Sequence, residues 1–73
     1  MVQRGAIAAI HEKFQALAPL MDERMCRWWA ACEARSLGWG GISAVAEATG
    51  LSRSTIQAGL ADLQQGVPPG DAG

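Results

Sequence analysis

Tyrosine is absent from this 73-residue sequence, and histidine and phenylalanine occur once each, as His11 and Phe14. A single histidine and two cysteines give no zinc pattern, since a structural zinc needs about four nitrogen or sulfur ligands. Cys26 and Cys32 fall on one helical segment, where six residues mean about 9 Å of axial rise. That is too far for a disulfide, so both are read as small buried or half-buried apolar residues. His11 sits beside an apolar stripe and is read as a surface or boundary residue. An excess of charge of either sign is also missing: six Lys and Arg against seven Asp and Glu leave a net charge of −1. This argues against a strongly basic nucleic-acid module. No apolar run approaches the roughly 20 residues a membrane span needs, and no signal peptide precedes the chain, so a cytoplasmic location is expected. Strand-like alternation and internal repeats are lacking too. Neither a phosphate loop nor a nucleophile–histidine pairing appears, so no enzyme activity, cofactor or metal is implied.

What is present is helical periodicity. Nearly half of the residues, 49%, are apolar, which suffices for one small core at a length with room for one domain. Residues 3–18 place Ile7, Ile10, Phe14 and Leu17 on one stripe, with Arg4, Glu12 and Lys13 off it, and Pro19 is expected to end this helix. Asp22 is a suitable N-cap for a second helix from Glu23 to about Leu37, and Gly38 a suitable stop. The spacing predicts Met25, Trp28, Trp29, Cys32 and Ser36 on its inner face, with Arg27, Ala30 and Ala34 outward. All three tryptophans are assigned to the core, because so small a domain needs large aromatic surfaces. Trp28 and Trp29 lie about 100° apart on a helix, so both cannot point to the centre. One of them is expected to face a partner.

Residues 40–60, GGISAVAEATGLSRSTIQAGL, carry the most specific pattern. Ile42, Val45, Ala46 and Thr49 share a helical face, and Gly50 suits the positive φ of a helix stop. Leu51 reaches back to the first of these helices, and Ser52 is positioned as the N-cap of the next. That helix buries Ile56, Leu60 and Leu63 at i, i+4 and i+7. A small Ala46 four residues before the turn glycine allows a close crossing. The pattern is a helix-turn-helix, whose second helix commonly enters the DNA major groove. The fold expected is all-α: four helices in a domain over residues 1–65, the helix-turn-helix at 42–65, and a flexible, disordered Pro/Gly-rich tail at 66–73.

Three segments resemble the N-terminal region of the ISAzo-type family of bacterial insertion-sequence transposases. They are the entry at Met21 to Arg24, EARSLGWGGISAVA from Glu33 to Ala46, and TGLSRSTI from Thr49 to Ile56. The resemblance spans about residues 7–66. It implies a helical region that recognises the element's double-stranded DNA ends ahead of a ribonuclease-H-like catalytic domain with three metal-binding carboxylates. No catalytic carboxylate carries over onto this sequence, which is therefore expected to be a truncated copy, or the leading fragment of an interrupted gene, without catalysis of its own. A second departure concerns charge. The family tends to continue TGLSRSTI with arginines, whereas here Gln57-Ala58-Gly59-Leu60-Ala61-Asp62 follows.

With Ile56 inward, Ser54, Gln57, Ala58, Ala61 and Gln65 form the outer face of the recognition helix. Arg53 is the one cation from Gly40 onward. The candidate DNA-binding residues are Ser52, Arg53, Ser54, Thr55 and Gln57. Gln57 has the bidentate geometry for adenine, and Arg53 that for guanine or a phosphate. Ser52, Ser54 and Thr55 stand at a helix N-terminus, where phosphate is favoured, although an N-cap alone also accounts for Ser52. Weak DNA binding is expected from a segment whose charges are Glu47, Arg53 and Asp62. The competing class is a protein–protein module that binds a second copy or a full-length transposase.

Overall fold

The computed structural model describes residues 4–66, and every secondary-structure element among them is helical. Helix α1 runs Arg4–Leu17, a 3-10 turn Ala18–Leu20 follows, and α2 spans Glu23–Leu37, α3 Gly41–Thr49 and α4 Arg53–Gln65. Residues 1–3 and 67–73 lie outside the described residues, as do the parts of the expected domain, first helix and tail placed on them. No helix among the described residues is long and apolar enough to cross a membrane.

The stops follow from local chemistry. The α-helical geometry of α1 ends at Leu17, and Pro19 falls inside the 3-10 turn that follows instead of at the helix end. Proline is tolerated there because the first residues of a helical turn have no acceptor for their N–H in any case. The Asp22 carboxylate accepts the Met25 N–H at 2.8 Å, capping α2. Gly50 has φ +79°, and its N–H donates to the Ala46 carbonyl at 2.9 Å, so α3 closes on the one residue type that adopts this backbone without strain. Two residues later Ser52 opens α4.

α2 is the centre of the molecule, with α3 and α4 both laid against it and α1 packed across α3. The smallest extent is 17 Å, close to the backbone depth of two helices packed with axes about 8–10 Å apart, so the domain is two helices deep. The buried apolar residues are Ile10, Ala30, Ala31, Ala34, Ala44, Val45, Ala48 and Ile56. Five of these eight are alanines, so backbone proximity, not side-chain bulk, fills the centre. Larger side chains, among them Ile7, Trp29, Leu37, Ile42, Leu51 and Leu60, ring this centre half-buried.

This arrangement reverses the expected orientation of α2. Ala30 and Ala34, assigned outward, are buried, whereas Met25, Cys32 and Ser36, assigned inward, are exposed. Two helices approach α2 from different sides, and only an alanine face lets both come close. Cys32 is thus an exposed free thiol and Cys26 a half-buried one. The tryptophans divide in the same way. Trp29 packs its ring on Phe14 of α1, centroids 5.7 Å apart, while the Trp28 indole N–H donates to Asp62 of α4 at 3.1 Å. Their 100° separation is met by two different neighbours, each leaving its indole half-buried, and neither reaches the core centre. Trp39 is not core at all: it is 86% exposed. In α3 the buried face is Gly41, Ala44, Val45 and Ala48, so Ile42, Ala46 and Thr49 flank it.

Candidate nucleic-acid interface

The site is built on α4, which α2 and α3 hold from one side. Ile56 is fully buried there, and Gly59 meets the backbone of α2 so closely that an added Cβ would lie 2.7 Å from the Arg27 carbonyl oxygen. Asp62 secures the same side with an ion pair to Arg27 Nη2 at 3.2 Å and the bond from Trp28. The opposite side is free: Arg53, Ser54, Gln57, Ala58, Ala61 and Gln65 are all exposed. The outward face expected from periodicity is therefore the outward face of the structure.

The five candidate residues separate into two groups. Ser52 Oγ accepts the Thr55 N–H at 3.1 Å and exchanges a hydrogen bond with the Thr55 hydroxyl at 2.8 Å. These two hydroxyls build the start of the helix. Arg53, Ser54 and Gln57 project from the first two turns, and Arg53 has no ion pair or hydrogen bond among the described residues.

The two edges of α4 differ. On one lies a depression of about 470 Å³ between α1, α2 and α4, where Phe14, Cys26 and Leu51 meet Glu23, Ser54 and Ala58. Glu23 and Arg27 both line it, and with Arg27 held by Asp62 this edge offers a phosphate no free cation. On the other edge lies an open depression of about 630 Å³, shared by the α2–α3 turn, the start of α3, and Arg53 and Gln57. Its one charged side chain is Arg53. Among the flanking cations of α2, Arg27 is committed to Asp62, Arg24 lies over the Trp28 ring at 5.8 Å, and Arg35 is exposed in the last turn. Lys13 pairs with Glu33 across α1 and α2 at 3.1 Å.

Sequence reasoning placed Trp39 in the core and so missed its presence beside Arg53. The flanking glycines were the available signal, since Gly38 and Gly40 both have positive φ, +77° and +81°, and turn the chain sharply around it. Among the described residues no three His, Cys, Asp or Glu side chains are grouped to hold a metal ion. Comparison with protein-family models, curated proteins and solved structures finds no match to this chain.

Proposed function

We propose that this chain is a DNA-binding helix-turn-helix domain without catalytic activity of its own, reading duplex DNA with α4. The observation that supports this reading is the division of α4. One side is locked against α2 and α3, and the other presents Arg53, Ser54 and Gln57 to solvent. At 13 residues α4 is about 20 Å long, a rod that fits the roughly 12 Å wide major groove. Gln57 then reads base edges, and Arg53 holds a guanine or a phosphate at the edge away from Glu23. Recognition of the ends of an insertion element, as the DNA-binding part of a transposase, rests on the sequence resemblance alone.

The charge inventory sets the strength. Each neutralised phosphate contributes about 0.9 to the log–log salt slope on duplex DNA. With Arg27 withdrawn into its pair with Asp62, Arg53 and Arg35 remain, so a slope of about one to two is expected. The test is a titration, at several salt concentrations, of duplexes from the DNA flanking the chain's own coding sequence and of scrambled duplexes. Arg53→Ala removes most of the affinity, Gln57→Ala changes sequence preference more than strength, and arginine at Gln57 or Ala58 steepens the slope. If neither duplex binds, and arginine at both positions does not produce binding, the hairpin is structural and the chain is a protein–protein module.

A further inference from the structure

We infer that Trp39, Arg53 and Gln57 form a seat for a single unstacked nucleotide, so that the domain prefers DNA carrying unpaired bases over continuous duplex. The inference rests on the DNA-binding reading and deepens it: Arg53 and Gln57 of α4 serve both ligands, and Trp39 adds the unstacked base.

Three observations carry it. The first is exposure: Trp39 is 86% exposed, whereas the other two indoles are half-buried against protein partners. The fold gains little from this side chain. The second is placement. Trp39 is not on a loose loop, because the turn is tied at both ends. The Gly38 N–H donates to the Ala34 and Arg35 carbonyls at 3.2 Å, and the Gly41 N–H to the Gly38 carbonyl at 2.9 Å. These bonds hold the backbone on either side of Trp39 and leave its indole in solvent beside Arg53. The third is company. The depression that Trp39 borders also holds Ile42, Ser43, Arg53 and Gln57. It therefore combines an aromatic face for stacking, a cation for a phosphodiester and a side-chain amide for a base edge. Its charge is purely positive, which suits a nucleotide and not an acid-seeking basic peptide. The depression is open to solvent, so a nucleotide reaches it without any part of α2 or α4 moving.

Paired bases in a duplex hide both faces from an indole, so only a base that has left the stack can use this seat. The preference is tested with fluorescently labelled DNA, by anisotropy. A blunt duplex is compared with the same duplex carrying a three-nucleotide single-stranded extension, against the wild type, Trp39→Ala and Trp39→Phe. Given its exposure, changing Trp39 leaves the helices folded, which circular dichroism checks. The extended duplex is expected to bind more tightly than the blunt one. Trp39→Ala lowers that affinity by about 5- to 150-fold, the worth of one base–aromatic stack, and leaves the blunt duplex unchanged. Trp39→Phe retains most of the preference.

If Trp39→Ala leaves both affinities as they were, or weakens both equally, the nucleotide seat is overturned while the DNA-binding reading stands. If the wild type binds neither DNA, and arginine at both Gln57 and Ala58 produces no binding, both fall. Sedimentation then shows whether the indole joins two copies of the chain, as a concentration-dependent dimer that Trp39→Ala dissolves.

Discussion

Replacing Gly59 with alanine would stabilise an isolated helix by about 1 kcal/mol, because glycine has the larger entropy to lose. In this protein the sign reverses. The new methyl would lie 2.7 Å from the Arg27 carbonyl oxygen and 3.0 Å from Ala31 Cβ, and neither belongs to a flexible side-chain tip. Ordinary contact begins near 3.4 Å, so α2 and α4 must part by about 0.7 Å, the difference between 3.4 and 2.7. A gap of that size forfeits roughly a quarter to a half of each dispersion contact along the seam. The Trp28–Asp62 hydrogen bond, 3.1 Å before the change, moves beyond useful range. Overpacking of this kind costs about 1–3 kcal/mol, and a rigid backbone acceptor puts Gly59 in the upper half of that range. Subtracting the helix gain leaves a net loss of about 1–2 kcal/mol, or about 4–16 °C in Tm for a chain of this size. Gly5 of α1 is the internal control. It has nothing within 4 Å of its would-be Cβ, so Gly5→Ala is neutral or stabilising. Thermal unfolding followed by far-ultraviolet circular dichroism measures both. If Gly59→Ala raises Tm as Gly5→Ala does, α4 does not approach α2 as closely as described and the reasoning fails.

Two further outcomes check the same seam and its surroundings. Asp62→Ala strands the Trp28 indole N–H and costs about 1–2 kcal/mol by urea denaturation, whereas Asp62→Asn, which keeps an acceptor, costs below about 1. The difference stays small because both ion-pair side chains are partly exposed, 31% for Arg27 and 39% for Asp62, where solvent screens the pair. A thiol reagent with native protein labels the exposed Cys32 well before the half-buried Cys26, and equal rates would contradict their placement.

The helices and their ends were legible in the sequence because they depend on local chemistry. Asp22, Gly38, Gly50 and Ser52 act on the backbone within four residues, and each stands where its type predicts. The outward face of α4 was legible for a related reason: Ile56 is its one large, fully buried side chain, and fixing Ile56 inward fixes Gln57 and Ala58 outward. The inner face of α2 was not legible, since choosing the largest residues assumes that one helix packs against one partner. Here α2 has neighbours on two sides, and the space between them admits Ala30, Ala31 and Ala34 but not an indole. Gly59 and Gly41 carry the same lesson. Glycine inside a helix reads as a weak point, and only the partner backbone shows it to be a point of contact. Trp39 fell outside periodicity altogether, on a turn whose direction is set by two positive-φ glycines.

The small-residue seam has a consequence for how such a sequence diverges. Along it, Ala31 and Ala34 of α2 meet Gly59 of α4 and Gly41 of α3, where an added Cβ would run into the Ala34 carbonyl oxygen. Mutations there have almost nowhere to go, because each contact already uses the smallest side chains the code offers. On the far side of α4, from Arg53 to Gln65, the exposed positions support no neighbour and constrain no backbone. Drift is thus barred from one surface of the same helix and nearly unopposed on the other, so the outer surface is free to change while the fold is kept. For protein engineering, the outer residues of α4 are open to randomisation as a library while the seam is held fixed.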